Sequence, residues 1–160
     1  MAADAELFEH YRDLVTGTTI DSTTLLSTDY FNLFNEVIML LGMLPDMPDM
    51  IEDVMAWQFK SYAQHFTESG LAFAPLAIAA YPHAPAAALV LFEQNSEKMR
   101  DVIEEAKLAL RDELTDGDLD MFCAKAIAYS LQLQRLVDAG SAIVHGQESV
   151  LDQGAIDDLF

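Results

Sequence analysis

Apolar residues along this chain recur at helical spacing, and no stretch alternates apolar and polar positions for long enough to read as a strand. Over residues 2–15, Leu7, Phe8, Tyr11, Leu14 and Val15 form one stripe, which predicts a first helix. Residues 16–28, TGTTIDSTTLLST, are rich in β-branched and hydroxyl side chains and read as a connector. Ser27 or Thr28 is placed to cap a helix reaching about Met43, with Phe31, Phe34, Ile38 and Leu41 inward. Pro45 and Pro48 end it, a further helix carries Met50, Val54 and Trp57, and Gly70 closes a segment containing His65 and Phe66. The longest periodic pattern runs from about Ala86 to Leu114, with Glu97, Arg100, Glu104 and Lys107 on its charged side. TDGDLD then makes a turn with acidic helix-start residues, and a last helix is predicted to about Ala139.

The pattern therefore predicts an all-α protein: a helical bundle over residues 1–139, a flexible linker over 140–150, and a short C-terminal amphipathic peptide over 151–160. The linker assignment rests on GSAIVHGQESV, which holds two glycines and shows no periodic core face. At 160 residues, 52% of them hydrophobic, the chain is long enough for one well-formed core and too short for two sizeable ones.

Charge narrows the partners. Twenty-seven acidic residues against eight basic ones leave a net charge of -19, which argues against nucleic acid and against an anionic membrane surface. The acids are scattered among apolar residues, as on the solvated faces of helices. The single cysteine, Cys123, excludes an internal disulfide and suits a reducing compartment, and MAADAELFEH has no signal-peptide character, so a cytoplasmic location is expected. Residues 71–92 carry no Lys, Arg, Asp or Glu and approach the length of a membrane span. Pro75, Pro82 and Pro85 cut them into two short buried helical segments meeting at YPHAP. The same uncharged stretch would equally line a helix-pair interface in a homodimer.

The end of the chain, LDQGAIDDLF, is the most specific stretch. With Asp152 as a cap, Ala155, Ile156, Leu159 and Phe160 fall on one side of a turn and a half of helix. A helix so short is unstable alone in water and would form on a partner's groove. LDQGAIDDLF resembles the response-regulator-binding peptide of the flagellar switch protein FliM, whose pattern is Leu-Ser-Gln-x-Glu-Ile-Asp-Ala-Leu-Leu. Leu151, Gln153, Ile156, Asp157 and Leu159 match in register, Phe160 replaces the last leucine, and Ala155 stands where the pattern has an acid. The CheZ family of chemotaxis phosphatases is similar in arrangement, with a related peptide after a linker that follows a helical bundle. The resemblance implies that Leu151, Gln153, Ile156, Asp157, Leu159 and Phe160 bind a CheY-like response regulator.

Catalytic constellations are sparse. His10, His65, His83 and His145 lie in no metal-protease, ferritin-like or zinc spacing, and Cys123 sits in an apolar helix as a core thiol would. Asp46, Asp49, Glu52 and Asp53 read as helix-start acids rather than a cation site, and Met39, Met43, Met47 and Met50 as core packing. The candidate for chemistry is DYFNLFNE, residues 29–36. On a helix Asp29, Asn32 and Glu36 stand at i, i+3 and i+7, which puts an acid and an amide on one face while Phe31, Phe34 and Ile38 pack on another.

Removal of phosphate from a receiver aspartate asks only that a partner hold a water in line and engage the receiver's lysine. The resemblance to CheZ, and to the acid-x-x-Asn of the CheC and CheX group, implies that Asn32 orients the water and Asp29 pairs with the lysine, with Asn35 as the alternative amide. It also implies no cofactor of the protein's own, since the receiver supplies Mg2+. The expected function is thus a chemotaxis or flagellar accessory protein that binds a CheY-like receiver and promotes its dephosphorylation. Two rivals stand beside it: a non-catalytic adaptor with the same tail, and an acidic assembly factor or inhibitor covering a basic partner.

Overall fold

The computed structural model describes residues 2–146, which form seven α-helices with no strand among them. These are α1 (Ala2–Leu14), α2 (Asn32–Met43), α3 (Ile51–Ala56), α4 (Tyr62–Ser69), α5 (Ala74–Ala80), α6 (Ala86–Asp116) and α7 (Leu119–Val144). Three short 3₁₀ turns, Thr28–Phe31, Pro48–Met50 and Tyr81–His83, lead into or link them. The architecture is the all-α helical bundle that the apolar spacing predicts.

The frame of the bundle is the α6–α7 hairpin. α6 is 31 residues long, about 46 Å at the usual helical rise. It ends at Gly117 in the left-handed conformation (φ 79°), and the Asp118 side chain accepts the Met121 amide to start α7. So short a link folds α7 back along α6. The register is antiparallel: Asn95 Nδ2 donates to the Leu136 carbonyl at one end, and Lys125 pairs with Glu113 near the other. α2 packs along α7, where the Ser130 hydroxyl donates to the Ile38 carbonyl, and the short helices α3 to α5 close the remaining side of the core.

Residues 71–92 are two helical pieces, as their prolines require. α5 and α6 meet at an angle of 115° across Tyr81–Pro85, and only one side of each piece is buried. Among the described residues no single helix is long and apolar enough to cross a membrane.

The structure corrects four local expectations. First, α7 continues past Ala139 to Val144, and Ala139, Gly140, Ile143 and Val144 are buried, so residues 140–144 are core helix and not linker. Gly140 looked like a flexible joint, yet a Cβ there would lie 2.5 Å from Phe31 Cζ and 2.6 Å from Asn95 Oδ1; the glycine serves close approach.

Second, residues 16–27 do form the non-helical connector, but it is also part of the core. Ile20, Leu25 and Leu26 are buried, Ile20 and Ser27 form an isolated antiparallel bridge, and Asp21 Oδ1 accepts the Thr23 amide at 2.7 Å. Leu25 sits at φ 61°, a conformation L-residues seldom adopt, and its full burial explains why the fold holds it there. The Thr24 hydroxyl donates to the Val144 carbonyl, tying this loop to the end of α7.

Third, Lys107 is not on the solvated side of α6. It is only 8% exposed, its ammonium donates to the Trp57 carbonyl at 2.7 Å and reaches Glu104 at 3.3 Å, and it lies over the Trp57 ring. Fourth, the methionines do not fill the core, although Met50 packs against it. Met39 is 58% exposed and Met43 half-buried, because Leu33, Phe34, Val37, Leu40 and Leu41 already fill the inward stripe of α2; beyond α2, Met47 is exposed and Met50 half-buried.

Candidate functional site

The segment singled out by sequence, residues 29–36, begins as a 3₁₀ turn and becomes α2 only at Asn32. Ser27, and not Thr28, caps it: the Ser27 hydroxyl accepts the Asp29 amide at 3.2 Å, while the Ser27 amide donates to the Tyr62 hydroxyl at 3.1 Å. Tyr30, Phe31 and Phe34 run directly into the core. Tyr30 meets Phe34 edge-on with ring centroids 5.5 Å apart, and Tyr62 and Phe92 complete the aromatic cluster. Burial pushes the Tyr30 and Tyr62 phenols well above their ordinary pKa. A turn anchored at three aromatic points holds Asp29 and Asn32 in fixed directions.

Those directions differ. The Asp29 carboxylate accepts hydrogen bonds from the Thr19 and Ser27 hydroxyls and is directed back to the connector. Asn32 is exposed and lines a shallow polar cleft of about 260 Å³ between α2 and α4, together with Glu36, Lys60, His65 and Glu68. Asp29 does not line that cleft; its backbone carbonyl accepts both the Asn32 backbone N–H and His65 Nε2, the latter at 3.0 Å. The fold thus brings Asn32 and Glu36 together on one face of α2 and turns the Asp29 side chain away from them. Asn35, the alternative amide, is exposed but does not line the cleft.

The hydroxyls that flank Asp29 account for this difference. Side chains three residues apart share a face in an α-helix and eclipse in a 3₁₀ turn, so helix type does not separate Asp29 from Asn32; the Thr19 and Ser27 hydroxyls draw the Asp29 carboxylate back to the connector. Lys60 and Glu68, an ion pair at 3.5 Å, and His65 all come from the α4 region, and sequence spacing gave no sign that they face α2.

The other proposed binding residues, Leu151, Gln153, Ile156, Asp157, Leu159 and Phe160, and the linker beyond Gly146, lie outside the described residues. Glu52 and Asp53 occupy the first turn of α3, where they favour the positive end of the helix. Among the described residues no group of three or more His, Cys, Asp or Glu side chains is arranged to hold a metal ion.

Comparison of the chain with protein-family models, with curated proteins and with solved structures finds no match.

Proposed function

We propose that this protein captures a CheY-like response regulator through Leu151, Gln153, Ile156, Asp157, Leu159 and Phe160, and promotes loss of the receiver's aspartyl phosphate at the Asn32 cleft. The observation that carries the reading is the LDQGAIDDLF run, five of whose positions match the switch peptide in register and which follows a helical domain. Tethering raises the local concentration of receiver beside the bundle, so a short and individually weak peptide suffices to present it. At the cleft, Asn32 offers an exposed amide on the first turn of α2 to hold the attacking water. The receiver itself supplies Mg2+ and the phosphoryl group.

One observation favours the adaptor reading over catalysis: the Asp29 carboxylate is already engaged by Thr19 and Ser27, and pairing with a receiver lysine requires those bonds to break. Substitution of Asn32 by Ala separates the two. Faster phosphate loss with the wild type that disappears in Asn32→Ala, with receiver binding retained, supports the enzyme. Binding without any acceleration in either protein supports the adaptor. The capture itself is tested in the full chain by the double variant Ile156→Ala with Leu159→Ala, which is expected to lose the receiver while keeping its helicity.

A further inference from the structure

We infer that His65 is the general base of the Asn32 cleft, taking a proton at Nδ1 from the water that attacks the receiver's acyl phosphate. The inference rests on the catalytic form of the function proposed above, and it names a residue that sequence spacing placed in no constellation.

Geometry fixes the tautomer. His65 Nε2 lies 3.0 Å from the Asp29 carbonyl, a group that can only accept, so Nε2 carries the proton and Nδ1 keeps its lone pair. Nδ1 has no hydrogen-bond partner among the described residues, and His65 lines the cleft with Asn32 and Glu36. The ring plane is held as well: Tyr30 and Phe66 meet the imidazole edge-on with centroids at 5.6 and 5.2 Å. A base with one nitrogen anchored, one open and its ring clamped needs little reorganisation when a substrate arrives.

The charged and titratable groups around it are Asp29 on the 3₁₀ turn, Tyr30 beside it, Glu36 on α2, and Lys60 and Glu68 from the α4 region. Burial lowers the His65 pKa and outweighs the opposing pull of the Asp29 carbonyl; the Lys60 ammonium adds to burial, while the Asp29 and Glu68 carboxylates oppose it. The neutral, proton-accepting imidazole is therefore the main form at neutral pH. In the step itself, the water oxygen bonds to phosphorus as its proton passes to Nδ1, and the P–O bond to the receiver aspartate breaks. The aspartate leaves as a carboxylate, inorganic phosphate is released, and the imidazolium returns its proton to solvent.

The test uses the full chain and a CheY-like receiver from the same cell, phosphorylated with acetyl phosphate in Mg2+. His65→Gln keeps an N–H donor for the Asp29 carbonyl and removes the open nitrogen. Its rate of receiver dephosphorylation is expected to fall about 10²-fold, with receiver binding and the Trp57 fluorescence unchanged. The wild-type rate should rise with pH to a plateau, with a midpoint below the ordinary histidine value, and the Gln variant should lose that rise. A Gln variant that follows the wild type across pH, while Asn32→Ala is inactive, overturns the inference and leaves the catalytic reading intact. Wild-type protein that binds the receiver without accelerating phosphate loss overturns both. Independently of any variant, imidazole 15N shifts of the wild type are expected to show the Nε2–H tautomer, and an Nδ1–H tautomer contradicts the assignment.

Discussion

Gly140 on α7 and Phe31 at the entry to α2 approach so closely that a Cβ on Gly140 would stand 2.5 Å from Phe31 Cζ. Neither side has room to give, since Phe31 is buried among Tyr30 and Phe92, and Asn95 Oδ1 fills the other flank. Gly140→Ala gains up to about 1 kcal/mol of helix propensity and meets an overpacking cost of about 1–3 kcal/mol, so a net loss is expected. Gly42→Ala is the control: its nearest neighbour, Ser130 Oγ, is 3.8 Å away, and it should be neutral or stabilising. Urea denaturation of the two variants checks the pair.

Lys107 gives a second test of packing. Its ammonium satisfies the Trp57 carbonyl while its stem covers the ring of the protein's single tryptophan. Lys107→Ala removes both and leaves a buried carbonyl unpaired, which costs about 1–3 kcal/mol. Lys107→Met keeps most of the stem and should be less damaging. Tryptophan emission, red-shifted in Lys107→Ala and nearly unshifted in Lys107→Met, reports the difference.

Asp29 and Asn32 should separate in stability as they do in direction. Asp29→Ala breaks the bonds to Thr19 and Ser27 and is expected to cost about 1 kcal/mol. Asn32→Ala removes an exposed side chain from the cleft and should stay within about 0.5 kcal/mol. Equal losses in thermal or urea unfolding would contradict the assignment of Asp29 to the turn and Asn32 to the cleft.

Alkaline titration addresses the aromatic cluster. Burial raises the Tyr30, Tyr62 and Tyr81 phenols above the ordinary tyrosine range, with the Glu93 carboxylate adding to the rise at Tyr81. A phenol that holds its proton more tightly when folded contributes stability that is complete below about pH 10 and is lost as pH climbs through the folded pKa. At about pH 11 the native protein should show much less tyrosinate absorbance than the same protein in guanidinium, and its unfolding midpoint should fall with pH. Identical native and denatured absorbance would contradict the burial described for these rings.

How much of this was legible in the sequence depends on the range of the interactions. Helix positions followed from local signals: Ser27, Gly70 and Asp118 sit at element ends in the structure, and the prolines of 71–92 mark a 115° bend. What escaped was set by partners far along the chain. Gly140 reads as a joint until Phe31, more than a hundred residues earlier, is placed against it. Lys107 reads as a surface charge until the Trp57 carbonyl needs a donor. The cleft was half-visible, since Asn32 and Glu36 share a helix face, but Lys60, His65 and Glu68 reach it through a tertiary contact that no periodicity encodes. Asp29 was misplaced relative to Asn32 because the Thr19 hydroxyl, ten residues earlier, draws its carboxylate to the connector, which spacing within residues 29–36 does not show.

The central claim, capture of a receiver by residues 151–160, is tested most directly by calorimetric titration of the full chain with a CheY-like receiver from the same cell. The titration is run with and without beryllofluoride, at low and at high salt. Micromolar binding is expected that tightens with beryllofluoride, survives high salt because Ile156, Leu159 and Phe160 supply the anchor, and vanishes in the Ile156→Ala, Leu159→Ala variant. No binding in either state of the receiver, or binding that the double variant leaves intact and salt abolishes, would contradict it.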